Sequence, residues 1–214
     1  MQALVTGFEP FGGDSVNPSF EALALLPADL GDLTIATQVL PCRFGAALSA
    51  LERAIAATAP DIVLGVGLAG GRSELSLERV AINVDDARIA DNGSQQPVDR
   101  PIVPDGPAAY FATLPIKSAV AAMREAGLPA AVSNSAGTFV CNHVFYGLMH
   151  LAATRFPAVR AGFLHVPYLP SQAARLPGTP SMALGEIVLG VEIILLVTAT
   201  RTDDIAEAGF GTLA

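Results

Sequence analysis

Short runs rich in β-branched and aliphatic residues punctuate this chain: ALVTGF, LTIATQVLP, DIVLGVG, AAVSNSAG and AGFLHVPY. Stretches of helical periodicity separate most of them. That alternation is the signature of βαβ units around a parallel sheet. The predicted fold class is therefore α/β, a three-layer α/β/α single domain over 1–214, built on a mostly parallel twisted sheet. Hydrophobic residues make up 51% of the chain while aromatics are only 6% and Trp is absent. A core of Ala, Val, Leu and Ile follows, which suits strands buried on both faces. Helices are predicted at 18–26, opened by Asn17 and Pro18, at 44–58, ended before Pro60, and at 115–126, between Pro115 and Gly127. Between 73 and 112 the pattern dissolves into Asp, Asn, Gly and Pro, which predicts a hairpin excursion at the sheet's edge. Loops of that length usually carry function.

Several function classes drop out on composition. A net charge of -8 repels a phosphate backbone, so nucleic acid is not an expected partner. The opening MQALVTGFEP has neither a basic n-region nor an apolar h-region, so a cytoplasmic location is expected. The most membrane-like stretch, residues 187–200, is 14 residues long and contains Glu192. It falls short of the roughly 20 residues that span a bilayer, so no membrane is expected as partner and a deeply buried helix is predicted. With only Cys42 and Cys141, neither a disulfide framework nor a zinc site is expected.

Two glycine-rich turns invite a nucleotide reading. GVGLAGG carries Gly65, Gly67 and Gly70 at dinucleotide-fingerprint spacing. The fingerprint needs a helix after its last glycine, whereas GRSELSLERVAIN alternates like a strand. A nucleotide- or dinucleotide-binding α/β protein is kept as the alternative. In TGFEPFGGD, Gly13 stands where a phosphate loop needs lysine. What remains is a turn carrying Phe8 and Phe11 beyond a strand end, where aromatics are poorly buried unless a ligand covers them.

Cys141 opens a predicted helix in CNHVFYGLMHLAATRF, where the helix dipole and free N–H groups favour a thiolate. Three histidines compete to be its base. At about 100° per residue, His143 lies about 200° round from Cys141 and His150 about 180°, so both point away. His165 ends a separate strand, and carboxyl ends of parallel strands converge beside helix N-termini. His165 is therefore the expected partner, and Cys42 keeps a structural role. A Cys–His pair needs a third group to fix the ring's tautomer. Glu74, Glu78, Asp85 and Asp86 all qualify on position.

The stretches TGFEPFGG, NPS, ERVAINVDDARIADN, GPAAYF, LPIK, AGTFVCNHVFYGLMH and HVPYLP together resemble the type I pyroglutamyl peptidases, a family of cysteine peptidases. The likeness runs from about residue 4 to 205. It implies a Cys141–His165–Glu78 triad that removes an N-terminal pyroglutamyl residue through a thioester, without cofactor or metal. It further implies Arg88 beside the oxyanion, and Phe8, Phe11 and Phe139 around the substrate ring, with Asn17 holding the entry loop. Leu68 stands where the family usually has glutamine, beside the ring's polar edge. The expected partners are peptides with N-terminal pyroglutamate and further copies of the chain in a cytosolic homotetramer. A catalytically inactive binder of such peptides is the remaining alternative.

Overall fold

The computed structural model describes residues 1–206 and 209–210; the rest of the domain expected over 1–214 lies outside the described residues. In chain order the elements are β1 (Gln2–Phe8), α1 (Pro18–Leu23), β2 (Asp29–Leu30), β3 (Leu33–Leu40), α2 (Ala46–Thr58), β4 (Ile62–Leu68), β5 (Leu75–Glu78), β6 (Val80–Ile82), β7 (Ala109–Phe111), α3 (Ile116–Glu125), β8 (Ala130–Ser133), α4 (Val140–Thr154), β9 (Arg160–Val166), α5 (Pro170–Ala173) and α6 (Leu184–Thr200). A seven-stranded sheet in the order β2-β3-β1-β4-β9-β5-β8 forms the centre. Its pairs β3·β1, β1·β4, β4·β9 and β5·β8 are parallel, while β2·β3 and β9·β5 are antiparallel.

Successive strand residues face opposite sides, and this sorts the core into two layers. Ala3, Val5, Ile62, Leu64, Val66, Leu75, Leu77, Leu164 and Val166 pack with buried residues of α1, α3 and α6. Leu4, Val63, Ala161 and Phe163 pack with those of α2 and α4 on the other side. The architecture is the three-layer α/β/α sandwich read from the sequence.

Three expectations need correction. Residues 75–78 of the expected edge excursion are an interior strand, β5, between β9 and β8. Leu75, Ser76, Leu77 and Glu78 are all buried, so the strand that the alternation predicted is inserted in the sheet instead of lying at its edge. The hairpin proper is β6 paired with β7, the two joined through residues 83–108. Second, the helix expected at 187–200 starts at Leu184 and is not buried all round: Leu189 and Leu196 are each 40% exposed. Its inner face rests on α3 and α1, and nothing among the described residues covers the outer one. Third, α1 ends at Leu23 rather than 26, three residues before Pro27 would have blocked it.

One close approach holds the first strand to the first helix. A Cβ on Gly7 would fall 2.5 Å from the Ser19 carbonyl oxygen and 2.8 Å from its carbon. Backbone meets backbone there, so no rotamer change can relieve the clash. Gly7→Ala should lower the unfolding free energy by about 1–3 kcal/mol, the usual cost of overpacking. The midpoint of urea denaturation measures this; an unchanged midpoint would mean that α1 shifts freely.

Candidate active site

The face on which strand residues lie decides what meets beneath α4. On β9, Leu164 and Val166 face the α1, α3 and α6 layer, leaving Phe163 and His165 to face α4. On β5, Leu75 and Leu77 take the former face, which puts Ser76 and Glu78 on the latter. These adjacent antiparallel strands pair Ser76 with His165. The His165 Nδ1–H donates to Glu78 Oε1 at 2.7 Å. His165 is 3% exposed and Glu78 not at all. An ionised carboxylate only accepts, so the bond fixes the proton on Nδ1 and leaves Nε2 free to act as a base. The His165 ring also stands edge-on to Phe163, centroids 5.1 Å apart.

Phe139, with extended backbone, caps α4 without a side-chain hydrogen bond, and Cys141 is the second helical residue. The N–H groups of such a first turn have no partner within the helix. Cys141 Sγ comes down on β4 where Gly67 lacks a side chain; a Cβ there would be 2.8 Å from the sulfur. Gly67 is the register partner of His165 across β4 and β9. Sulfur and imidazole are thus carried to neighbouring strands at the same level. The expected convergence of parallel strand ends is only half the reason. β8, which leads to α4, runs parallel to β5 and hence opposite to β9, and residues 134–139 carry the chain from its end to the cysteine.

Electrostatics departs from the expected thiolate. Although Cys141 is partly exposed as a residue, the packing around its thiol raises the pKa, with desolvation the largest cause, and Cys42 and Glu78 adding to it. Arg72 opposes the shift. Desolvation disfavours the charged form of a thiol, against the favourable field of the first turn of α4. Burial also lowers the pKa of His165, against the raising influence of its bond and attraction to Glu78, with Arg72 lowering it further. Both directions favour the neutral forms, a thiol beside an imidazole, in the ligand-free site.

The other two histidines are engaged elsewhere, as their angular positions on α4 predicted. The His143 Nδ1–H donates to Asp85 Oδ2 at 2.9 Å and its Nε2 accepts the Gly45 N–H at 3.0 Å, stapling the start of α2 to α4. His150 Nδ1 meets the Tyr110 hydroxyl at 2.9 Å. Cys42 is buried, with its thiol pushed up to about 12 by desolvation and by Glu9 and Asp91. Among the described residues no cluster of three or more His, Cys, Asp or Glu could hold a metal ion.

Phe11 and Phe139 face each other with centroids 6.0 Å apart, and Phe44 braces Phe139 edge-on at 5.5 Å. Both line a pocket of about 210 Å³ with Arg88, Ile89 and Thr138. A larger cleft of about 560 Å³ shares Phe11, Arg88 and Ile89 and is bounded by Leu68, Tyr168 and Gln172. Arg88 is exposed at this mouth. Phe8 corrects the expectation of a poorly buried aromatic: it is the last residue of β1, 2% exposed, and packs on Phe163 as core. Asn17 is equally buried. Its Oδ1 caps α1 through the Ser19 N–H and its Nδ2 donates to the Glu9 carbonyl at 3.1 Å, so it shapes the loop behind Phe11.

The glycines of the nucleotide alternative are accounted for without a ligand. Missing Cβ atoms at Gly65, Gly67 and Gly70 make room for Phe163, Cys141 and the Tyr168 hydroxyl. After Gly70 the chain turns into β5 instead of a helix, so the fingerprint's anion site is not built. Sequence reasoning missed Arg72. Its NH1 donates to Glu78 Oε1 at 2.8 Å and its NH2 to the Ser135 carbonyl at 2.9 Å. The available signal was a lone cation closing a glycine turn six residues before a strand-borne acid.

A sequence model of the pyroglutamyl peptidase family matches residues 1–201. The pyrrolidone-carboxylate peptidase of Cupriavidus taiwanensis is 57% identical over 209 residues, covering 96% of each chain. That of Escherichia fergusonii is 53% identical over 210 residues, covering 98% of each. Among solved structures, pyroglutamyl peptidase I from Bacillus amyloliquefaciens superposes with a TM-score of 0.93 at 46% identity, covering 95% of this chain and 99% of that one. A mutant pyrrolidone carboxyl peptidase from Pyrococcus furiosus gives 0.90 at 43%, covering 94% and 99%. The chain belongs to the pyroglutamyl peptidase family.

Proposed function

We propose that this single peptidase domain hydrolyses the peptide bond that follows an N-terminal pyroglutamyl residue, using Cys141 as nucleophile, His165 as proton carrier and Glu78 to hold the imidazole. The observation that carries this reading is the 2.7 Å bond from His165 to a fully buried Glu78, on the strand beside the glycine that admits the Cys141 sulfur. Because the resting pair is neutral, the proton moves during attack: as Sγ adds to the substrate carbonyl, its proton passes to His165 Nε2. The oxyanion is held by first-turn N–H groups of α4, with the Arg88 guanidinium at the mouth. His165 then protonates the departing amine, leaving a thioester on Cys141. Water attacks next, His165 takes its proton and returns it to sulfur, and pyroglutamate is released. None of these steps requires a cofactor.

Pyroglutamate is a small lactam with two apolar faces, one N–H, one carbonyl and no ammonium group. Phe11 and Phe139 supply apolar walls for such a ring, with Phe8 supporting them from the core and Asn17 from the loop. Leu68, partly buried at the end of β4, supplies contact without an amide at the polar edge. The physiological partners are then peptides blocked by pyroglutamate, encountered in the cytoplasm. Assembly into a homotetramer is supported by the exposed Leu189 and Leu196 on the outer face of α6. A lone surface helix seldom shows an apolar strip on the solvent side.

Release of a chromophore from a pyroglutamyl amide, with no cofactor added, tests the function directly. Cys141→Ala and His165→Ala should abolish it, while Cys42→Ser, His143→Ala and His150→Ala should act only through stability. An active, folded His165→Ala protein would refute the assignment. Leu68→Gln should lower KM several-fold with kcat nearly unchanged, the pattern of one added hydrogen bond worth about 0.5–1.5 kcal/mol in ground and transition states alike. An unaltered KM would show that only the backbone reads the ring's edge. Solution scattering at micromolar concentration should report an oligomer that Leu189→Lys with Leu196→Lys dissociates; a monomeric wild-type chain would contradict the assembly.

A further inference from the structure

Glu78 does not hold His165 alone, and its second partner belongs to no role assigned so far. Gly71, with φ of +92°, turns the chain after β4 so that Arg72 folds back over the end of β5. One arm of its guanidinium reaches Glu78 Oε1 at 2.8 Å and another the Ser135 carbonyl at 2.9 Å. Ser135 lies in the segment between β8 and α4 that delivers Phe139 and Cys141. The same carboxylate oxygen therefore serves both Arg72 and His165, while Glu78 Oε2 is buried without a hydrogen-bond partner among the described residues. Such a carboxylate has no reason of its own to present one oxygen to the imidazole; Arg72 supplies it. Arg79, the neighbouring cation in the chain, makes no bond to Glu78, and its Nε is itself buried without a partner.

We propose that Arg72 is a positioning residue for the reaction: by bridging Glu78 Oε1 and the Ser135 carbonyl, it locks the carboxylate in the orientation that His165 requires and ties it to the segment leading to Cys141. The proposal rests on the reading of Cys141, His165 and Glu78 given above. Arg72 is not a catalytic residue, since it acts through Glu78. Its charge nevertheless reaches the pair. The charged groups that bear on His165 are Glu78 from β5 and Arg72 from the turn before it, and Arg72 lowers the His165 pKa while Glu78 raises it. Glu78 and again Arg72 are the charged groups that bear on Cys141, beside the neighbouring thiol of Cys42. The Arg72 side chain is 29% exposed, at a separate cleft of about 460 Å³ that includes Ser76, Ser133 and Ser135. Water thus screens part of its field, and the effect on the pair is modest.

The sign follows from charge. Removing the cation removes an influence that lowers the His165 pKa, so the His165 ring, still hydrogen-bonded to Glu78, takes up its proton at higher pH. Only the unprotonated pair can accept the thiol proton, so the acid limb of kcat/KM moves up with it. The test compares wild type, R72Q and R72K. Neither variant can span both acceptors as a fork; R72Q also loses the charge, whereas R72K keeps it. In the ligand-free proteins, NMR titration of the His165 ring should move up by about one unit in R72Q, the low end of what a nearby charge does, and stay close to wild type in R72K. On a pyroglutamyl amide, R72Q should lose plateau kcat as R72K does, having lost the bridge, and should lose about tenfold more in kcat/KM on the acid side, since one unit is a factor of ten. R72K should keep the wild-type limb and lose plateau kcat. A role confined to folding would lower activity equally at every pH. An R72Q titration superimposable on wild type, or an R72K shift equal to that of R72Q, would overturn the proposal. Failure of the wild-type chain to cleave the amide would instead strike the proposed function, and the ring titration would still decide the role of Arg72.

Discussion

Burying a carboxylate as completely as Glu78 costs on the order of several kcal/mol unless donors and a counter-charge replace water. The fold replaces it with two donors to one oxygen, His165 at 2.7 Å and Arg72 at 2.8 Å. Each arrives from a different element, β9 and the turn after β4. Withdrawal of either leaves the buried charge with one donor in place of two, and a buried charge that loses its partners is the costlier error. This is why the turn at Gly70 and Gly71, strand β5 and the end of β9 hold one relative placement. The tautomer of His165 follows from that placement, and with it the availability of Nε2.

Cys141 is brought in by a different constraint, the absence of a side chain. Gly67 gives its space to the sulfur and Gly65 gives its own to Phe163. The strand between β1 and β9 is therefore smooth where α4 crosses it. Helix and sheet approach more closely there than ordinary side chains permit, and the thiol loses water as a result. Dehydration pushes the thiol toward its neutral form, against the field of the helix start. The same packing that places the Cys141 sulfur also favours its neutral form.

Much of this was legible in the chain. Strand periods, proline and glycine stops and the angular positions on α4 gave the α/β class, α2 to within two residues, and the elimination of His143 and His150. Those signals are local, and local physics governs them. The strand character of β5 was legible in its alternation, but its place was misread, because buried Ser76 and Glu78 inside the sheet break the usual polarity code. Phe8 was misread because, although the run ALVTGF ends on it, no local signal shows that Phe163 packs against it from β9. The pairing of Arg72 with Glu78 depends on a turn angle at Gly71 and on a carbonyl at Ser135, 63 residues away. No short-range pattern encodes that distance.

The central claim is that the resting site holds a neutral thiol and a neutral imidazole, with the proton transferred only during attack. A thiolate absorbs near 240 nm and a thiol does not, so the difference spectrum between wild type and Cys141→Ala isolates this one sulfur. At neutral pH, with no substrate present, the account predicts no thiolate band, and its appearance only at pH values above the ordinary thiol range of about 8.5. A full band of one thiolate per chain at neutral pH, disappearing in His165→Ala, would show a preformed ion pair and contradict the account.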